Sequence, residues 1–318
     1  MQQDGEILEK EALQEMLLKA VPQESAEKLQ EQGELELVFA EKGQYRIRAN
    51  IYRQQSGLAA ALRILPDRIP SPEELEIPAV AAELLREKKG LVLITGEDGS
   101  GKSTVLASLL AKQLEHASRH LITIENPVEY QIPEGKGLVS QREIGRDTGS
   151  FAAALKAARR QDADVIACAE LNDMETVTEA LCAARAGSLV ISCMDTGSAE
   201  DTVHHLISMF PEQKRAQIRL QLSDVLKGII TRQLVPGEVE EKQCAAYEIM
   251  KMNPEIRRLL QEGRTAHLTE TIAAYGKEGM QTLDASLLSL YMKSRISEET
   301  AVGYARDTQL MQKRITIY

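Results

Sequence analysis

One short run constrains this chain more than any other: Gly96-Glu97-Asp98-Gly99-Ser100-Gly101-Lys102-Ser103-Thr104. It fits the spacing G-x-x-x-x-G-K-[S/T] of a phosphate-binding loop. Glycines let the backbone curl close to phosphate oxygens with no Cβ in the way. The exposed N–H groups and the positive end of the following helix then attract the anion. Lys102 is placed to reach the β- and γ-phosphates, and the Ser103 hydroxyl to hold Mg²⁺. Gly96, Gly99, Ser100, Gly101, Lys102, Ser103 and Thr104 form the expected nucleotide-binding set. The context agrees, because Leu91-Val92-Leu93-Ile94 reads as a strand entering the loop and Lys102 to Ala117 as a helix leaving it.

Further apolar runs follow at Leu121 to Ile124, Val165 to Cys168 and Leu189 to Ser192. They lack polar alternation, as expected for strands covered on both faces. Helical segments separate most of them (Ser150 to Arg160, Asp173 to Ala186), which predicts an α/β domain with a parallel, doubly wound sheet. Before it, Ile7 to Val21 reads as an amphipathic helix with Leu13, Met16, Leu17 and Ala20 on one face. Leu35 to Ala40, Tyr45 to Tyr52 and Ala59 to Leu65 read as strands, with Gly43 in the first turn. Three prolines between Pro66 and Pro72 can continue neither a helix nor a central strand, so a linker belongs there. A helix is expected from about Pro78 to Lys88, and a mostly helical chain from Pro211 onward. The expected division is a small α+β domain over 1–66, a linker over 67–80, the nucleotide-binding domain over 81–252 and a helical region over 253–318.

The chain has 318 residues, 38 basic against 48 acidic, for a net charge of −10. That balance, with no Trp and only 3 Phe, argues against nucleic acid as a partner, which would need neutralised phosphates and stacking rings. No apolar run approaches the roughly 20 residues that span a bilayer. Met1 to Gly5 lacks the features of a secretory signal, so a cytoplasmic location is expected. Cys168, Cys182, Cys193 and Cys244 are widely spaced and read as reduced thiols, not as a zinc site or a disulfide framework.

From Leu35 to Asp307 the chain resembles the secretion ATPases, most closely the PilT-like retraction ATPases of type IV pili. Ile124-Glu125-Asn126-Pro127-Val128-Glu129-Tyr130 is similar to the family's aspartate box, and Gln141 to Thr148 to the stretch after it. Val165 to Glu170 occupies the Walker B position. Glu255-Ile256-Arg257-Arg258-Leu259-Leu260 and Gly279-Met280-Gln281-Thr282-Leu283-Asp284 resemble two C-terminal family runs. The four-cysteine insertion of the assembly-type relatives is lacking, which favours the retraction side.

This resemblance implies a RecA-like P-loop NTPase domain, a PAS-like N-terminal domain and a homohexameric ring with ATP and Mg²⁺ bound between subunits. The PAS-like domain is expected to be a shortened one, since the family's first strands have no counterpart before Ile7. Glu129 matches the glutamate taken as general base, with Glu125 as the alternative. Glu170 matches the Walker B glutamate, which meets Mg²⁺ through water. Arg48 and Arg63 align with arginines that reach a neighbour's nucleotide; a third falls at Ser56, with Arg53 nearby. The implied role is a motor for type IV pilus retraction or related secretion filaments. It would sit at the cytoplasmic face of the inner membrane against a platform protein.

The departures from the family gather at the active site. Ser188 and Asp195 stand where the histidine box has histidines. Asn126 replaces an aspartate, Ala169 a glycine and Asn172 an arginine. An anion at Asp195 is unfavourable near polyphosphate unless paired. These changes support an alternative: a nucleotide-binding, hydrolysis-poor scaffold or regulator working with an active motor ATPase.

Overall fold

The computed structural model describes residues 9–41, 45–239 and 243–317. The chain forms two compact units. One runs to Arg68 and takes in Pro127–Gln131; the other comprises Ile69–Asn126 and everything from Ile132.

The first unit carries α1 (Lys10–Ala20), α2 (Gln23–Gln32) and an antiparallel sheet of β1 (Glu34–Glu41), β2 (Tyr45–Gln54) and β3 (Gly57–Leu65) in that order. Ile7 and Gly43 lie outside the described residues. α1 ends before Val21, whose ψ is 150°, because Pro22 pushes its predecessor out of the helical region. Its buried stripe also differs from the expected one. Leu17 and Val21 are buried and Leu13 and Leu18 pack beside them, whereas Met16 is 57% exposed. α2 had no counterpart in the sequence reading. On β2, Ala49 and Ile51 join this core, and strand alternation turns Arg46 and Arg48 to the other face. Arg48 stands directly opposite Arg63 of β3.

The second unit begins inside the expected linker. Ile69, Ile77 and Val80 pack against its core, and the helix expected to Lys88 is the short α3 (Ala79–Leu84). Then follow β4 (Gly90–Thr95), α4 (Lys102–His116), β5 (His120–Glu125), β6 (Leu138–Glu143), α5 (Phe151–Ala158), β7 (Val165–Cys168), α6 (Met174–Ala186) and β8 (Leu189–Met194). After them come α7 (Ala199–Ser208), α8 (Glu212–Val225), β9 (Leu226–Pro236) and β10 (Gln243–Lys251). Helices α9 (Pro254–Glu262), α10 (Leu268–Ala274), α11 (Leu283–Met292), α12 (Glu298–Gly303) and α13 (Thr308–Ile317) complete the unit. The sheet order is β10-β9-β4-β8-β7-β5-β6. All pairs are parallel except β9 with β10.

β4 shows why the sheet needs helices on both sides. Leu91 and Leu93 enter a core shared with α5 to α9, while Val92 and Ile94 enter a second core with α3 and α4. The mostly helical chain expected after Pro211 is interrupted by β9 and β10, which the sequence reading did not place. The run Ile229-Ile230-Thr231 is β-branched, which favours strand, and Ile229 and Ile230 are both fully buried, one in each core. At Gly228 a Cβ would meet Leu84 at 2.5 Å, so only glycine lets α3 approach β9. The helical region after Asn253 packs into this unit rather than standing apart. Asn253 caps α9 by accepting from the Ile256 N–H at 2.8 Å, and α11 to α13 build a third core against Val235, Cys244 and Ala246.

Glu248 of β10 is 1% exposed. Its Oε1 accepts from the Ala199 N–H at 2.7 Å, tying β10 to the start of α7, while Oε2 has no partner among the described residues. Burial pushes its carboxyl above the ordinary value of 4.5. The folded chain therefore binds this proton more tightly than the unfolded chain, and stability falls as pH rises above 4.5. Glu248→Gln keeps the acceptor and removes the charge. It is expected to raise the urea midpoint at pH 8 and flatten its decline between pH 5 and 8, by about 1 kcal/mol.

Candidate nucleotide site

The turn from β4 into α4 sets the site. Gly96, Gly99 and Gly101 have φ of +153°, +77° and +83°, which side-chain-bearing residues rarely adopt. At Gly101, the cap of α4, a Cβ would also collide with the Arg232 guanidinium. No described side chain caps α4 and its first turn holds no acidic residue, so the helix end stays electropositive. Ser100 is 4% exposed, and its hydroxyl has no partner among the described residues. Ser103, the second residue of α4, is exposed. Glycine turn, open helix end, orphan hydroxyl and lysine together fit a polyphosphate.

Lys102 is only 12% exposed. Its ammonium donates to the carbonyls of Gly96 at 3.1 Å and Glu97 at 2.9 Å. It also meets Asp195 Oδ1 at 2.7 Å. Asp195 directly follows β8, the strand beside β4, and its side chain is 66% exposed. The anion at this position is therefore paired, and its partner is the lysine expected to grip phosphate. Ser188, the other position where the resemblance has histidine, instead donates to the Ala163 carbonyl at 2.9 Å from a buried hydroxyl.

Glu125 ends β5 and Glu170 follows β7, so both lie at the carboxyl edge of the sheet with the loop, where open α/β sheets bind ligands. Glu125 Oε1 accepts from Thr123 Oγ1 at 2.5 Å and Gln141 Nε2 at 3.0 Å. Glu170 Oε2 accepts from Asn172 Nδ2 at 2.7 Å. The Asn172 amide thus holds one oxygen of the Glu170 carboxylate. All four cysteines are free thiols. Burial pushes Cys168 and Cys193 up to about 12, which leaves them protonated and unreactive.

Glu129, Arg48 and Arg63 belong to the first unit. Arg48 Nη1 meets Glu129 Oε1 at 3.2 Å, and Arg48 Nη2 meets Glu36 Oε1 at 2.6 Å. Arg46 donates to the Val128 and Glu129 carbonyls. The expected base and an expected trans-acting arginine are thus bound to each other. Arg63 is exposed.

The sequence reading missed Arg232. It is 7% exposed, its Nη1 donates to the Gly101 carbonyl at 3.3 Å, and its guanidinium lies 5.9 Å from the centre of the Tyr247 ring. Its Nε has no partner among the described residues. A charged residue inside an apolar β-branched run was the available signal. Arg232 lines a cavity of 360 Å³ beside the loop, with Gly99, Gly197, Leu283, Tyr304 and Arg306. The cavity takes in the loop from Gly96 to Ser100 but neither Lys102 nor Ser103.

Gly101→Ala is expected to cost about 1–3 kcal/mol, because it combines φ strain with the Arg232 collision. Gly99→Ala, where a Cβ meets nothing within 4 Å, should cost less. Urea denaturation of the two variants checks the order.

Comparison with known proteins accords with this geometry. Residues 16–309 match the family described as Type II/IV secretion system protein. The type IV pilus retraction ATPase PilT of Pseudomonas aeruginosa is 38% identical over 268 residues, covering 84% of this chain and 78% of that protein. A crystal structure of the pilus retraction motor PilT with bound ADP has a TM-score of 0.87 and 39% identity, covering 94% of this chain and 85% of that one. The Legionella pneumophila ATPase DotB has a TM-score of 0.78 at 26% identity, covering 94% and 84%. The glycine turn, the parallel sheet and these likenesses agree: the chain belongs to the Type II/IV secretion system protein family.

Proposed function

We propose that the chain is an ATPase motor of the PilT kind, driving retraction of a type IV pilus or a related secretion filament. The observation that carries this is the strand–loop–helix turn from Thr95 to Lys102, whose ammonium lies on the loop carbonyls and Asp195 and whose Ser100 hydroxyl has no partner among the described residues. Similarity to PilT over most of the chain supports the same reading.

The roles divide by position. Amides of the loop and the start of α4 bind the phosphates, and Lys102 spans the β- and γ-groups. Ser103 would hold Mg²⁺, which neutralises phosphate charge, and Glu170 would hold a water of its shell. Glu129 orients the attacking water, with Glu125 as the alternative acceptor. Arg48 and Arg63 stabilise charge at a neighbouring subunit's phosphates, which requires an adjacent copy of the chain; six copies close the proposed ring. Arg48 must first release Glu129 and Glu36. The ring works at the cytoplasmic face of the inner membrane against a platform protein. No helix among the described residues is long and apolar enough to cross a membrane.

A second reading rests on the Lys102–Asp195 and Arg48–Glu129 pairs: a nucleotide-binding subunit that hydrolyses poorly and regulates an active motor. Steady-state phosphate release separates the two. The motor reading expects turnover well above a Lys102→Ala blank whose circular dichroism is unchanged, in a particle of hexamer mass. Glu170→Gln is expected to keep ATP binding and lose about 10²-fold or more of turnover. Tight binding with turnover at the blank level selects the regulator.

A further inference from the structure

Three groups engage the three donors of the Lys102 ammonium: Gly96 O, Glu97 O and Asp195 Oδ1. Two are parts of the loop itself. The third is a full negative charge brought by the neighbouring strand, in contact with the atom that must grip the nucleotide. Lys102 is nearly buried while Asp195 is mostly exposed. The carboxylate can therefore turn to water, whereas the largely buried ammonium keeps its two loop carbonyls and favours any anion that reaches it.

We propose that Asp195 is a specificity-determining residue: an internal anion that competes with the nucleotide for Lys102 and lowers affinity for triphosphate more than for diphosphate. This rests on the phosphate-loop reading above. Either nucleotide must take the ammonium from Asp195. A triphosphate also brings one more charged group to Lys102, beside a carboxylate that stays within reach of it. Repulsion therefore grows with phosphate number. A histidine or any neutral residue there would impose no such penalty. The effect weakens with salt, because one partner is solvated.

The test is calorimetric titration of the full chain with ADP and with the non-hydrolysable analogue AMP-PNP, each with Mg²⁺, at low and high salt. Asp195→Asn and Asp195→Ala are expected to bind AMP-PNP about two- to fivefold more tightly than wild type, as a part-exposed ion pair allows. The gain for ADP should be smaller, and both gains should shrink at high salt. Unchanged or weaker AMP-PNP binding in both variants overturns the proposal and leaves the loop reading standing. Equal gains for the two nucleotides overturn the discrimination. No binding by wild type or either variant, matching Lys102→Ala, overturns the loop reading itself. Asp195 is 66% exposed, so both variants are expected to fold as wild type does, which circular dichroism checks.

Discussion

The turn that joins β4 to α4 is the constraint on which the second unit depends. β4 is buried on both faces, so its backbone can leave the sheet only at the carboxyl edge. There it must reverse into a helix while its amides point away from the core. Glycines at positive φ satisfy that demand at Gly96, Gly99 and Gly101. The helix that follows then brings Val105, Leu109 and Leu110 into the core that Val92 and Ile94 share. One local conformation thus fixes both the packing of α4 and the direction of its positive end.

That geometry creates an electrostatic problem which the chain solves internally. Lys102 and Arg232 are two largely buried cations beside one loop, in a chain whose net charge is −10. An isolated buried charge is costly, so each must be solvated by what surrounds it. Loop carbonyls and Asp195 serve Lys102; the Gly101 carbonyl and the Tyr247 ring serve Arg232. Arg232 is the more rigidly held of the two, being packed under the loop. Lys102 can exchange one partner for another, because Asp195 is free to turn to solvent.

The parallel sheet was legible because its strands are uninterrupted apolar runs next to a diagnostic loop. Arg232 and the β9–β10 hairpin were not, and for a related reason. A strand buried on both faces has no period of two, and Leu226–Pro236 follows a helix without a turn-forming residue between them. Periodicity alone cannot separate such a strand from helix. α1 shows a different failure. Its apolar residues offered two stripes, and only the position of the three-stranded sheet decides that Leu17 and Leu18 rather than Met16 face it. At the site, residue types revealed which groups could act, but not their present partners. Nothing in sequence separation links Asp195 to Lys102 or Glu129 to Arg48.

Those two pairs share a physical logic. In each, a cation suited to phosphate is held by a carboxylate of the same unit, at 2.7 Å for Lys102 and 3.2 Å for Arg48. Neither carboxylate is deeply buried, so neither pair is a fixture of the core. Each holds its cation in place at little net stability, since exposed and half-exposed pairs contribute about 0–1 kcal/mol. A phosphate, carrying more charge and more acceptor oxygens than a carboxylate, outcompetes such a partner when its other contacts are in place. On the proposed roles, nucleotide would free Asp195 and, where a neighbour's phosphate drew Arg48, Glu129 as well. A carboxylate released from its arginine has that oxygen open to a water. If Arg48 acts on a neighbour's nucleotide as proposed, its departure opens the Glu129 carboxylate of its own unit, which one ion pair now holds at 3.2 Å.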